Sequence, residues 1–189
     1  MADTLESVLN LSLIATFKQS LANSGGTVEV PIKVTKNLRL LNGTSADQAD
    51  KAWGSLGRAL TTSATEDIDL YDLGTIDIGP GAGRDPLGQD VTYAELVMIY
   101  IGNATTSTGS LLIGGKAAGT AQLNTFLAVA GTASDTAQIG PIPPGGFVVL
   151  YAPAAAAFAV ADATNHLLAM TESGVGALTY DIVVWARSA

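Results

Sequence analysis

Apolar side chains recur along this chain at every second position or in short unbroken runs, which is the spacing of strands rather than helices. Thr27-Val28-Glu29-Val30-Pro31-Ile32-Lys33-Val34 alternates and predicts a half-buried strand. Pro31, with no N–H to give a ladder, marks it as an edge. Residues 37–41 read as its partner, Asn42-Gly43-Thr44 ends that hairpin, and residues 46–56 have room for one short helical turn. Ahead of it, Asn23-Ser24-Gly25-Gly26 is a turn, and the apolar positions of residues 5–21 have a spacing that fits helix and strand equally.

Beyond residue 58 the pattern is strand after strand. The segments 59–64, 66–73, 92–101, 110–113, 147–151, 158–160, 167–170 and 178–186 carry the β signal, with weaker candidates at 123–130 and 137–142. Val97-Met98-Ile99-Tyr100-Ile101 is almost continuously apolar and predicts a central strand. Together with residues 147–151 and 180–185 it forms the expected core. Gly and Pro density makes residues 79–88 a loop and Pro141-Ile142-Pro143-Pro144-Gly145-Gly146 a rigid turn. About eight short strands from Glu66 onward, roughly ten residues apart, predict an all-β fold, a β-sandwich with the jelly roll as leading subtype. The expected organisation is an N-terminal arm and β-hairpin over residues 1–58 and a sandwich over residues 59–189.

Composition sharpens this picture in one respect. The chain is 48% hydrophobic but only 14% charged, where a soluble domain has about 25% charged residues. So apolar a chain predicts surface covered by other copies or partners, and a homo-oligomer, dimer or trimer, is expected. The arm's own apolar residues, Leu5, Val8, Leu9, Leu11, Leu13, Ile14 and Phe17, are too many to leave in water. They predict either an assembly arm or burial on the chain's own domain. The net charge of −8 builds no basic stripe, so no nucleic-acid partner is expected. No run is apolar and long enough for a membrane helix, and the acidic start lacks the positive region of a signal peptide. Synthesis in a cytoplasm without a membrane partner is the corresponding expectation.

Chemistry-bearing motifs are sparse. The chain has no cysteine and one histidine, His166, unaccompanied by a nucleophile motif. It reads as an ordinary polar residue at a strand start. Gly79-x-Gly81-x-Gly83 lacks the lysine and the strand context of a phosphate loop. Glu66, Asp67, Asp69 and Asp72 crowd into seven residues, as calcium ligands do, but without the glycine and terminal glutamate of a calcium loop. On a strand they would divide between two faces, as charges guarding a wet edge. A glycosidase pair can meet from anywhere in a fold, but two tryptophans, Trp53 and Trp185, offer little platform for sugars. Trp185 reads as a core or interface anchor. The expectation is a non-enzyme, with no catalytic, metal or cofactor residues.

Several stretches do resemble one group of proteins: Asn42-Gly43-Thr44-x-Ala46-x-Gln48-Ala49-Asp50-x-x-Trp53, Ala64-Thr65-Glu66-Asp67-Ile68-Asp69-Leu70, Gly114-Gly115, Pro143-Pro144-Gly145-Gly146-Phe147-Val148-Val149-Leu150-Tyr151-Ala152-Pro153 and Thr179-Tyr180-Asp181-Ile182-Val183-Val184. This pattern of turns and strands resembles tailed-bacteriophage virion proteins of the capsid decoration (cement) type, over residues 35–189. The resemblance implies a structural protein bound to the major capsid protein on the virion surface. A receptor- or glycan-binding accessory of the head or tail is the alternative. It brings no catalytic residues to carry over.

Overall fold

The computed structural model describes residues 5–20, 27–71, 92–115, 138–162, 164–174 and 176–188. Regular structure among them is strand throughout: β1 (Ser7–Ser20), β2 (Thr27–Leu40), β3 (Lys51–Leu60), β4 (Thr65–Asp69), β5 (Glu95–Asn103), β6 (Leu111–Gly114), β7 (Gln138–Ile142), β8 (Phe147–Tyr151), β9 (Phe158–Ala159), β10 (Leu167–Glu172) and β11 (Leu178–Arg187). The turn at 23–26, the loop at 79–88 and the strand expected at 123–130 lie outside the described residues.

The fold is all-β, a sandwich of two antiparallel sheets. One runs β3-β11-β5-β8, with β9 also paired to β5; the other runs β4-β10-β6-β7. A third sheet is the hairpin β1-β2 alone. The core lies between the two large sheets. Leu178, Tyr180, Ile182, Val184 and Ala186 of β11 and Leu96, Ile99 and Ile101 of β5 meet Ile68 of β4, Leu111 and Ile113 of β6, and Leu168 and Met170 of β10. On β11 the buried side chains are every second residue, because a pleated strand turns successive side chains to opposite faces. β5 departs from alternation. Its partner register skips Val97, between Trp185↔Met98 and Ala186↔Leu96. That bulge lets Leu96 and Ile99 both point inward, while Val97 packs on the opposite face. The near-continuous apolar run is therefore a bulged strand with both faces covered, and its central place is as expected.

Three local expectations are corrected. Residues 27–40 are one strand, and their partner is β1, not residues 37–41. Apolar residues at 30, 32, 34, 38 and 40 keep a period of two through the whole segment, so nothing breaks it. The helical turn at 46–56 is absent: residues 41–50 are turns and a bridge, followed directly by β3, whose cross-strand bonds to β11 outweigh weak local preference. β3 thus runs across position 58, and the hairpin ends at Leu40. Finally β8 is the rim of its sheet rather than core. Val149 is half-buried and Phe147 is 59% exposed, because an edge strand has a neighbour on one side only.

A second, smaller cluster sits on the outer face of the five-stranded sheet. Leu40, Ala49 and Val97 are fully buried there, with Leu5, Tyr151, Ala157 and Trp185 against them. This cluster roots the hairpin. Asn42 Oδ1 accepts from the Leu5 amide at 2.8 Å. The buried Arg187 guanidinium donates to the carbonyls of Gln48 (3.0 Å), Pro153 (2.9 Å) and Ala154 (2.8 Å) and to Glu95 (2.8 Å). One side chain therefore fastens the joint after the hairpin and the loop after β8 to the sandwich.

Candidate interaction surface

Among the described residues, β1 and β2 pack chiefly along one another, and most of the hairpin's apolar side chains beyond the root are exposed. In an antiparallel pair, residues directly opposite share a face, and the register puts Leu9 opposite Leu38, Leu11 opposite Lys36, Leu13 opposite Val34, Ala15 opposite Ile32 and Phe17 opposite Val30. All five pairs lie on one face. The other face carries Asn10–Asn37, Ser12–Thr35, Thr16–Pro31 and Lys18–Glu29, with Val8 and Ile14 as its apolar exceptions. The hairpin is thus an amphipathic ribbon with its apolar side open: Leu13 is 58% exposed, Phe17 66% and Ile32 57%.

Sequence reasoning named seven apolar residues of this segment, and the structure divides them. Leu9, Leu11, Leu13 and Phe17 share the open face, Val8 and Ile14 lie opposite, and Leu5 belongs to the root cluster. Burial of the segment lies at its root end, where Leu5 and Leu9 are half-buried and Ser7 is buried. Val30, Ile32 and Val34 complete the face. They were visible as an alternating strand but could not be assigned to it without the β1–β2 register.

Charge is unevenly distributed as well. Lys18, Lys33, Lys36 and Arg39 are four of the nine basic residues, while Asp3, Glu6 and Glu29 are the only acids of the seventeen before residue 41. The arm is mildly basic and the remainder strongly acidic. Cross-strand Lys18–Glu29 and basal Arg39–Glu6 form exposed ion pairs, each at 2.6 Å.

The carboxylates at 66–72 do not converge. Glu66 points to the sandwich rim, where it accepts from both Arg58 and Tyr180 (2.7 Å from the phenol); Arg58 also donates to Ser55 at 3.3 Å. Burial pushes the Glu66 carboxyl up, but hydrogen bonds from Arg58 and Tyr180 and the guanidinium charge together outweigh it and hold the group below its usual range. Burial, then the bond to Glu66, pushes the Tyr180 phenol well up. This clasp joins β3, β4 and β11 across the open edge between the sheets, and sequence gave no sign of it, because Arg58 and Tyr180 stand 122 residues apart. Asp69 accepts from the Tyr71 amide (2.9 Å) and lies 2.8 Å from His166 Nδ1. His166 thus sits beside a carboxylate at the start of β10, as a polar brace between neighbouring strands. Asp67 is exposed, and Asp72 and the glycines at 79–83 lie outside the described residues. Glu172, buried, accepts from the amides of Ser63 (2.6 Å), Gly174 (2.8 Å) and Gly176 (3.1 Å), knitting two turns together. Trp53 is buried in the sandwich core and Trp185 is half-buried under the root cluster, so both are occupied by packing.

A shallow depression of about 380 Å³ is lined by Lys51, Tyr71, Thr92, Tyr93, Val160 and Ser188. It brings no pair of acid and base groups together. The distinctive surface of the described chain is therefore the open ribbon face. Comparison with known proteins finds no matching family model, no matching curated protein and no matching solved structure.

Proposed function

We propose that this chain is a structural, non-enzymatic virion protein: a rigid β body that binds a capsid surface and stabilises the shell, with the β1–β2 ribbon as its docking arm. The observation that carries this reading is the open apolar face of the ribbon, beside a body that has a buried core of its own. An isolated two-stranded ribbon is marginal in water, so a partner surface is what makes it worth building. A protein that binds only the assembled shell raises its stability by mass action. The major capsid protein is the partner on this reading, and the resemblance of residues 35–189 to tailed-phage decoration proteins supports it.

The sandwich is compatible with the jelly-roll subtype. Its strand pairs nest, β6 with β7 inside β5 with β8, inside β4 with β10, inside β3 with β11. Eight strands paired in this nested way and folded into two sheets are what a jelly roll requires. Such bodies serve capsid proteins and lectins alike, so the subtype supports the reading without deciding it.

The test is particle stoichiometry with an arm deletion. Purified particles should contain this chain at hundreds of copies, the order set by a symmetric shell. A chain in which residues 8–39 are replaced by a short glycine link should keep its thermal transition and lose particle binding. Absence from particles, or full occupancy by the deleted chain, overturns the proposal. Roughly a dozen copies or fewer would move the protein to the tail or portal, overturning decoration in favour of the accessory reading.

A further inference from the structure

The two long edges of the ribbon are not alike. β2 carries Pro31, Lys33, Lys36 and Arg39, the devices that keep a strand edge from recruiting another chain. β1 carries none of them between Leu9 and Phe17: Leu-Asn-Leu-Ser-Leu-Ile-Ala-Thr-Phe is nine residues without a charge or a proline. An uncharged, β-prone edge of this length pairs with another strand. We infer that it pairs with the β1 edge of a second copy of this chain, antiparallel about a two-fold axis, giving one continuous sheet in the order β2-β1-β1-β2.

Three features fit that occupant. The uncharged stretch is centred on Leu13, and pairing about Leu13 sets Leu9 against Phe17 and Leu11 against Ala15. Opposite residues share a face, so this register keeps Leu9, Leu11, Leu13, Ala15 and Phe17 on one side, with Ile14 on the other, and joins the two open faces into one. The basic β2 strands then lie at the outer margins, as far apart as the sheet allows. Finally a four-stranded sheet passes the three-strand threshold below which a ribbon is marginal, and the two-fold closes the sticky edge instead of propagating it. This association goes beyond the docking reading and needs no particle for its test.

Pro31 stands opposite Thr16. A proline loses no ladder bond only where its nitrogen faces away from the partner strand. Outward positions recur at every second residue, so Ser12 is outward too. Ser12→Pro therefore blocks the β1 edge while sparing both the β1–β2 ladder and the apolar face. Leu13, of the opposite parity, meets its copy at a non-hydrogen-bonded site with Cα atoms about 4.5 Å apart, within disulfide reach. The chain has no cysteine of its own, so an engineered one reports alone. Expected are a dimeric full-length chain by sedimentation equilibrium, a monomeric Ser12→Pro variant with an unchanged thermal transition, and a disulfide-linked dimer from Leu13→Cys but not from Lys36→Cys on the far edge. A monomeric parent chain, a dimeric Ser12→Pro variant (which would mean face-to-face stacking), or equal cross-linking of the two cysteine variants overturns the inference.

Discussion

The sandwich and the ribbon obey the same alternation and meet opposite fates. On β11 every second residue is sealed against the facing sheet; on β1 the residues at 11, 13 and 17 keep the same period and are exposed. What separates the two regions is a second layer. A strand's apolar face contributes to folding only when another face covers it, so the body's strands contribute more to stability than the ribbon, whose apolar side chains stay exposed.

Substituting one residue in each region gives the sharpest contrast. Ile99→Ala, inside the sandwich, should cost about 3 kcal/mol, read as a lowered midpoint in denaturant. Leu13→Ala should stay within about 0.5 kcal/mol in the unassociated chain. Equal losses would mean the ribbon is packed against the body after all.

The root between the regions comes next. Arg187→Met keeps most of the side chain's bulk but removes every donor to the joint, leaving the carbonyls of Gln48, Pro153 and Ala154 and the Glu95 carboxylate to find other partners. A loss of about 3 kcal/mol is expected. Amide exchange should also quicken first in residues 41–50, ahead of the sheet interior; uniform loosening would deny Arg187 this fastening role.

Within the body, the rim clasp has a pH signature. Because Glu66 is held below its ordinary range when folded, the unfolded chain takes up the proton first as pH falls. The clasp's contribution is therefore complete above the ordinary carboxylate value of 4.5 and fades as pH drops through the lower folded value. Glu66→Gln should cost about 2 kcal/mol near neutrality and flatten part of the acid limb of the stability profile. An unchanged acid limb would exclude Glu66 as its source.

The smallest effect belongs to the ribbon surface. Lys18→Ala breaks an exposed cross-strand ion pair with Glu29 and should cost no more than about 0.5 kcal/mol, vanishing in high salt. A larger loss would show the ribbon tip to be less solvent-screened than its exposure indicates.

Much of the body was legible along the chain. The runs at 97–101, 110–113, 137–142, 167–170 and 178–186 lie within or across observed strands, because alternation and Gly–Pro punctuation are local signals. β1 was ambiguous because Val8 and Ile14 fall off the odd-numbered stripe and blur its period. β8 was overrated because Phe147-Val148-Val149-Leu150-Tyr151 has a core composition but an edge position, and composition carries no information about how many neighbours a strand has.

The sequence by itself determined the fold class, most strand positions, the unusual scarcity of charge and the apolar richness of the first forty residues. These are fixed by residue type and spacing over a few positions. The tertiary structure decided the rest. It chose the nested pairings, the meeting of Arg58 and Tyr180 with Glu66, the fastening by Arg187, and which apolar residues of the arm share a face. Each of these depends on contacts between residues far apart in the chain, whose partners are selected by the closure of two sheets over one core and not by any local preference.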